Sequence, residues 1–170
     1  MPHAHFSASN IERPQSYDGA LVDKLRITAL EGAHQAEVFE AQFNPKEIEV
    51  DRTFPWWYHR LVPAPPQYLG TEPARMSFEL TFDGGKQFAS VQPRLDMLHR
   101  LSRVDETLHH PPRVRVAWGS ARDAMPAFDG VVEEISVHYM TFADNGVPLR
   151  ATATVKLIEA VNLLDALHRS

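Results

Sequence analysis

The sequence predicts a mainly β fold with some α: a barrel or sandwich of short strands with one long β-hairpin and a single flanking α-helix. Three observations predict it. Apolar and polar residues alternate in several runs between residues 24 and 160, the pattern of half-buried strands. Only the stretch from Ser90 to Val104 repeats its apolar residues at spacings of three and four. The 13 prolines lie mostly outside the alternating runs, where they pin loops.

Residues 1–23 are polar, contain Pro14 and Gly19, and show no sustained period, which predicts a flexible arm. His3 and His5 form an H-x-H that lacks a third ligand, so no metal site is expected there. From residue 24 to 160 the chain reads as one domain. Leu25, Ile27 and Ala29 alternate with Lys24, Arg26 and Thr28, and Phe39, Ala41 and Phe43 share a side of the next run, so the two predict a hairpin. Asn44-Pro45 ends it, and Ile48 and Val50 begin a third strand.

That strand runs toward Phe54, Trp56, Trp57 and Tyr58. Clustered rings can hold sugars or bases, but at a strand end before Pro63, Pro65 and Pro66 they more often plug a barrel or fill a subunit contact. Leu61 to Pro73 reads as an irregular proline-rich loop of the kind that touches a partner. Met76, Phe78, Leu80 and Phe82 alternate with polar residues in a fourth strand, which Asp83-Gly84-Gly85 ends. Ser90 is placed to cap a helix that buries Val91, Leu95, Leu98 and Leu101 and turns Arg94, Asp96, His99, Arg100 and Arg103 outward. His109-His110-Pro111-Pro112 breaks the chain before a strand of Val114, Val116 and Trp118, and Gly119 to Pro126 reads as a loop.

Val131 to Glu159 is the organising stretch, two runs folded back at Asp144-Asn145-Gly146. Residues opposite each other in a hairpin must share a face. A two-residue turn would set Val137 against Thr154 and mix the faces. A three-residue loop with Gly146 in the left-handed region instead pairs Tyr139 with Ala151, Val137 with Ala153 and Ile135 with Val155. On the wet face it pairs His138 with Thr152, Ser136 with Thr154 and Glu134 with Lys156, leaving only Glu133, opposite Leu157, on the wrong side. A dozen residues at about 3.3 Å each make a ribbon of roughly 40 Å, about twice the usual strand. Such a hairpin outruns its own barrel and predicts either a second sheet or a neighbouring subunit. Residues 161–170 read as a short terminal helix or tail.

The totals exclude several classes. There is no cysteine, hence no disulfide, cysteine-based zinc site or thiol chemistry. A formal charge of -5 without a basic stripe argues against a nucleic-acid partner. Neither a long apolar run nor a leader pattern is evident, so the reading is synthesis in the cytoplasm without a signal peptide and no membrane insertion. Phosphate loops, nucleophile elbows, H-E-x-x-H helices and dinucleotide fingerprints are missing. The expectation is a non-enzyme with no cofactor, no metal and no catalytic residues.

Three ordered stretches resemble one family. These are Phe43-Asn44-Pro45 followed by Trp56-Trp57; the strand Phe78-x-Leu80-x-Phe82-Asp83; and Pro111-Pro112-x-Val114-x-Val116-x-Trp118-Gly119 continuing through Phe128-x-Gly130-Val131-Val132, Tyr139, Phe142 and Gly146-x-Pro148-x-Arg150-Ala151 to Leu157 and Glu159. Together, over about residues 24–160, they resemble the tube and baseplate tube-adaptor proteins of contractile, phage tail-like injection systems. The resemblance implies a tail-tube-like β-barrel assembled as a homo-hexameric ring, either of the inner tube or as tube initiator or hub adaptor near the spike. Its partners would be an adjacent tube ring, the spike or hub protein and baseplate or sheath components, in a cytoplasmic or released particle. In closely similar adaptors a LysM peptidoglycan-binding module follows this domain, whereas the present sequence stops at Ser170.

Within that picture Glu134, Ser136, His138, Thr152, Thr154 and Lys156 are the candidate lumen face, and Trp56, Trp57, Tyr58 and Glu133 the candidate subunit or partner contacts. The competing reading is a carbohydrate- or peptide-binding β-domain using Trp56, Trp57 and Tyr58.

Overall fold

The computed structural model describes residues 22–58 and 64–160. The expected arm, apart from Val22 and Asp23, and the expected terminal helix or tail lie outside the described residues. The chain forms β1 (Leu25–Ala29), β2 (Val38–Glu40), β3 (Ile48–Asp51), β4 (Trp56–Trp57), β5 (Gln67–Tyr68) and β6 (Arg75–Asp83). A 3-10 turn at Gly85–Gln87, helix α1 (Gln92–Arg100), β7 (Arg113–Trp118), β8 (Met125–Phe142) and β9 (Pro148–Glu159) follow. The fold is mainly β with one α-helix, as the alternation and the single helical period predict.

Seven strands make one antiparallel sheet in the order β2-β1-β7-β8-β9-β6-β3. The sheet curls into a barrel whose seam is stitched by a side chain. Just past β2, Gln42 donates through Nε2 to the Asp83 carbonyl (2.7 Å) and accepts the Asp83 N–H on Oε1 (3.1 Å), so one amide imitates a strand neighbour at the end of β6. The rings of Phe39 and Phe82 meet inside that seam, 6.2 Å apart. Helix α1 fills the interior with Leu95 and Leu98, joined by Val91 and Leu101 at its ends, against the apolar faces of β1, β6, β7 and β9. Burying a side chain of this size stabilises the fold by about 1.5–3 kcal/mol. Ser90 Oγ accepts the Gln92 N–H (3.2 Å), but the capping position itself is Val91, one residue later than the sequence suggests.

The long hairpin has the expected register. Tyr139, Val137 and Ile135 face Ala151, Ala153 and Val155, and His138, Ser136 and Glu134 face Thr152, Thr154 and Lys156. Ala143 and Gly146 close the three-residue loop, with Gly146 at φ 82°. Glu133 is the correction. It does not oppose Leu157, because Val132 does; Glu133 is the extra residue of a bulge between Val132 and Glu134, which turns it outward to Arg75. Gly130 sits where β8 crosses closest to β9: a Cβ there would lie 2.5 Å from the Ile158 carbonyl oxygen.

Other expectations need correcting. β8 begins at Met125 rather than near Phe128, because Met125 pairs with Trp118 across a bulge that admits Pro126. Phe43 is exposed, since the chain leaves the barrel at Gln42, and Val50 is exposed because β3 is an edge strand outside the barrel. The 101–110 loop is tied down by Asp105. Its carboxylate accepts the Thr107 hydroxyl (2.5 Å) and the N–H groups of Ala33 (2.6 Å), Thr107 (2.8 Å) and Leu108 (3.1 Å). These donors, the Thr107 hydroxyl first, hold the carboxyl well below the usual range.

Candidate assembly surface

Strand β8 has two parts with different neighbours. Its first part pairs with β7, which reaches no farther than Val131. From Val132 to Phe142 it pairs with β9 alone, and among the described residues no strand covers its other side. That open edge is roughly 35 Å long at about 3.3 Å per residue. The bonds that fix its polarity lie on β9: Glu159 N–H donates to the Ala74 carbonyl and Ala160 N–H to the Asp129 carbonyl. Odd-numbered residues of β9 therefore serve β6 and even-numbered ones serve β8. By the alternation of an antiparallel ladder, His138 and Ser136 bond to β9 while Ile135, Val137 and Tyr139 turn their main-chain groups to the open side.

The polar face of the same strands carries every residue expected to line a conduit. Rows cross the sheet: Glu49, Ser77, Lys156 and Glu134; then Glu79, Thr154 and Ser136; then Thr81, Thr152 and His138. Lys156 donates to Glu134 (2.8 Å), which raises the lysine's pKa. Arg150 grips Asp83 (2.5 Å), whose carboxyl is held low first by the Gly85 N–H and then by that guanidinium. Arg75 meets Glu133 (2.9 Å) and Arg52 meets Glu159 (3.0 Å) where this face ends. The charges are thus mostly neutralised in place. Sequence reading found the β8–β9 half of the face; Ser77, Glu79 and Thr81 join it because β6 lies beside β9, a neighbour relation that alternation alone does not reveal.

The predicted aromatic cluster is exposed. Asp51 and Arg75 end the β3–β6 pairing, and the chain continues as a second ribbon through Glu72 to Thr53, Leu69 to Pro55 and the β4–β5 pair. Trp56 packs on Tyr68 with ring centroids 5.3 Å apart. Phe54, Trp56, Trp57, Tyr58, Tyr68 and Leu69 all face solvent, so these rings do not plug the barrel. Residues 59–63 of the expected proline-rich loop lie outside the described residues. Tyr68 and Leu69 were missed as members of the cluster because their partner strand lies across that loop.

No helix among the described residues is long and apolar enough to cross a membrane, and no group of three or more metal-ligating side chains gathers among them. His110 Nδ1 instead contacts its neighbour, the Pro111 carbonyl (2.8 Å).

A curled antiparallel sheet with a long uncovered strand edge beside a polar face is the build of a structural protein suited to assembly. Residues 21–166 match the family model described as contractile injection system tube protein, and the chain belongs to that family. It is accordingly a structural part of a phage tail-like particle, assembled with other components of the system. No curated protein matches the chain.

Proposed function

We propose that the protein closes into a homo-hexameric ring at the base of the inner tube, as tube initiator or hub adaptor of the type that elsewhere bears a LysM module. The single observation that carries the reading is the open edge of β8 from Val132 to Phe142. An edge of that length leaves main-chain donors and acceptors that a strand of a neighbouring copy satisfies, and a ring leaves none over. Glu134, Ser136, His138, Thr152, Thr154 and Lys156 then line the lumen. Their charges are already paired on one subunit, which lets cargo pass without sticking. Trp56, Trp57, Tyr58 and Glu133 contact the next ring or the spike. The role is mechanical, not catalytic.

Mass photometry and negative-stain imaging test the reading. Rings are expected from the native chain at high concentration, and Val137→Pro, which removes an N–H from the open edge, is expected to leave monomers. A native chain that stays monomeric alone and with its neighbouring tube and spike proteins overturns it. A second reading, carbohydrate or peptide binding at Trp56, Trp57 and Tyr58, is supported by the exposure of those rings. Tryptophan fluorescence titrated with candidate ligands separates the two.

A further inference from the structure

A second strand edge is open, on β6. β3 covers β6 only from Arg75 to Phe78, and Gln42 stitches it only at Asp83. Between them the connector from Phe43 to Glu47 swings away and leaves a groove of about 1170 Å³, floored by Glu79, Thr81 and Thr152 and walled by Phe43, Pro45 and Met140. Phe43 and Met140 are exposed apolar side chains in it. Its charge is acidic: Asp83 is matched by Arg150, which leaves Glu47, Glu49 and Glu79 against Lys46.

The amino-terminal segment begins at the rim of this groove. Asn44, which lines it, donates through Nδ2 to the Asp23 carbonyl (2.8 Å) and accepts the Leu25 N–H (2.9 Å). Residues 1–21 lie outside the described residues. In sequence, Ala4, Phe6 and Ala8 alternate with His5, Ser7 and Ser9, a short strand pattern free of proline and glycine. No carboxylate occurs before Glu12, so the only titratable side chains in residues 1–11 are His3 and His5. Residues 12–22 form a tether that reaches roughly 35 Å when extended.

We infer that residues 4–9 dock in this groove as an added strand on the open edge of β6, with Phe6 between Phe43 and Met140 and the histidine-bearing end over the acidic rim. Strand addition draws affinity from main-chain bonds and selectivity from alternate side chains, and both are supplied here. The segment comes from the same chain, because its tether starts beside the groove. The inference does not need the ring, but if both hold, the docked segment covers Thr152 and Thr154 on the lumen face.

The cysteine-free sequence makes the test direct. Ala8→Cys, on the same side of the segment as Phe6, is paired in the full chain with Thr81→Cys on β6 in the groove or, as control, with Ser120→Cys. Ser120 hydrogen-bonds to Asp23, so it lies equally near the root of the tether but outside the groove. Docking predicts an intrachain disulfide to position 81 forming about tenfold faster than to position 120, the gain in effective concentration that a seated segment has over a free tether. Equal rates, or faster closure at 120, overturn the inference. Cross-links between chains at position 81 overturn the assignment to the same chain and make the occupant a second copy.

Discussion

The two parts of β8 differ in everything except secondary structure. From Met125 to Val132 the strand has neighbours on both sides for part of its length, and Phe128, Gly130 and Val132 are buried at alternate positions. From Glu133 to Phe142 it has one neighbour and no buried residue, and Tyr139, Met140 and Phe142 are exposed. The bulge at Glu133 is the boundary. The first part belongs to the core of one molecule, whereas the second touches that core only through half-buried Ile135 and Val137 and runs exposed from His138 onward. Length of strand beyond the needs of a fold is therefore itself informative about assembly.

The contrast is broken most severely from the inside. Leu157 is fully buried opposite Val132, and Leu157→Ala is expected to cost about 2–5 kcal/mol in chemical denaturation, whereas Phe142→Ala stays within about 0.5 kcal/mol. Equal costs would erase the distinction. Proline sharpens it next. His138→Pro removes a ladder bond to β9 and is expected to destabilise the monomer by about 3 kcal/mol, while Val137→Pro, on the open side, costs about 1 kcal/mol and acts mainly on ring formation.

A smaller effect appears in acid. The carboxyl of Asp105 is depressed on folding, so it adds stability above its unfolded pKa near 4, and that stability falls away as pH drops below 4 toward the folded value. Melting temperature followed from pH 5 to pH 2 is expected to fall less steeply in Asp105→Asn than in the native chain. The smallest effect belongs to the polar face of β8 and β9. Lys156→Ala breaks an exposed pair with Glu134 and is expected to change stability by under about 1 kcal/mol, leaving the melting curve almost unmoved.

Much of this was legible in the sequence, and the particular residues explain why. The register of β8 and β9 follows from face matching and a glycine in the left-handed region, both local. The helix follows from Val91, Leu95, Leu98 and Leu101. Glu133 was misplaced because a bulge adds a residue without any mark in composition. Phe43 and Val50 alternate with polar residues and are nonetheless exposed, because alternation reports that a face exists but not whether anything covers it. The barrel seam depends on Gln42 meeting Asp83, a contact between residues 41 apart that no period encodes. The polar face extended onto β6 for the same reason.

That seam has a consequence for motion. A row of ladder bonds opens only cooperatively, whereas the polar part of this join is a single glutamine amide backed by the Phe39–Phe82 contact. Amides where the ends of β2 and β6 meet, beside the groove, are therefore expected to exchange with solvent before those of the central strands, which hydrogen-exchange measurements check. In the proposed ring, such a seam would let each copy yield along one line while the rest of the wall stays stiff.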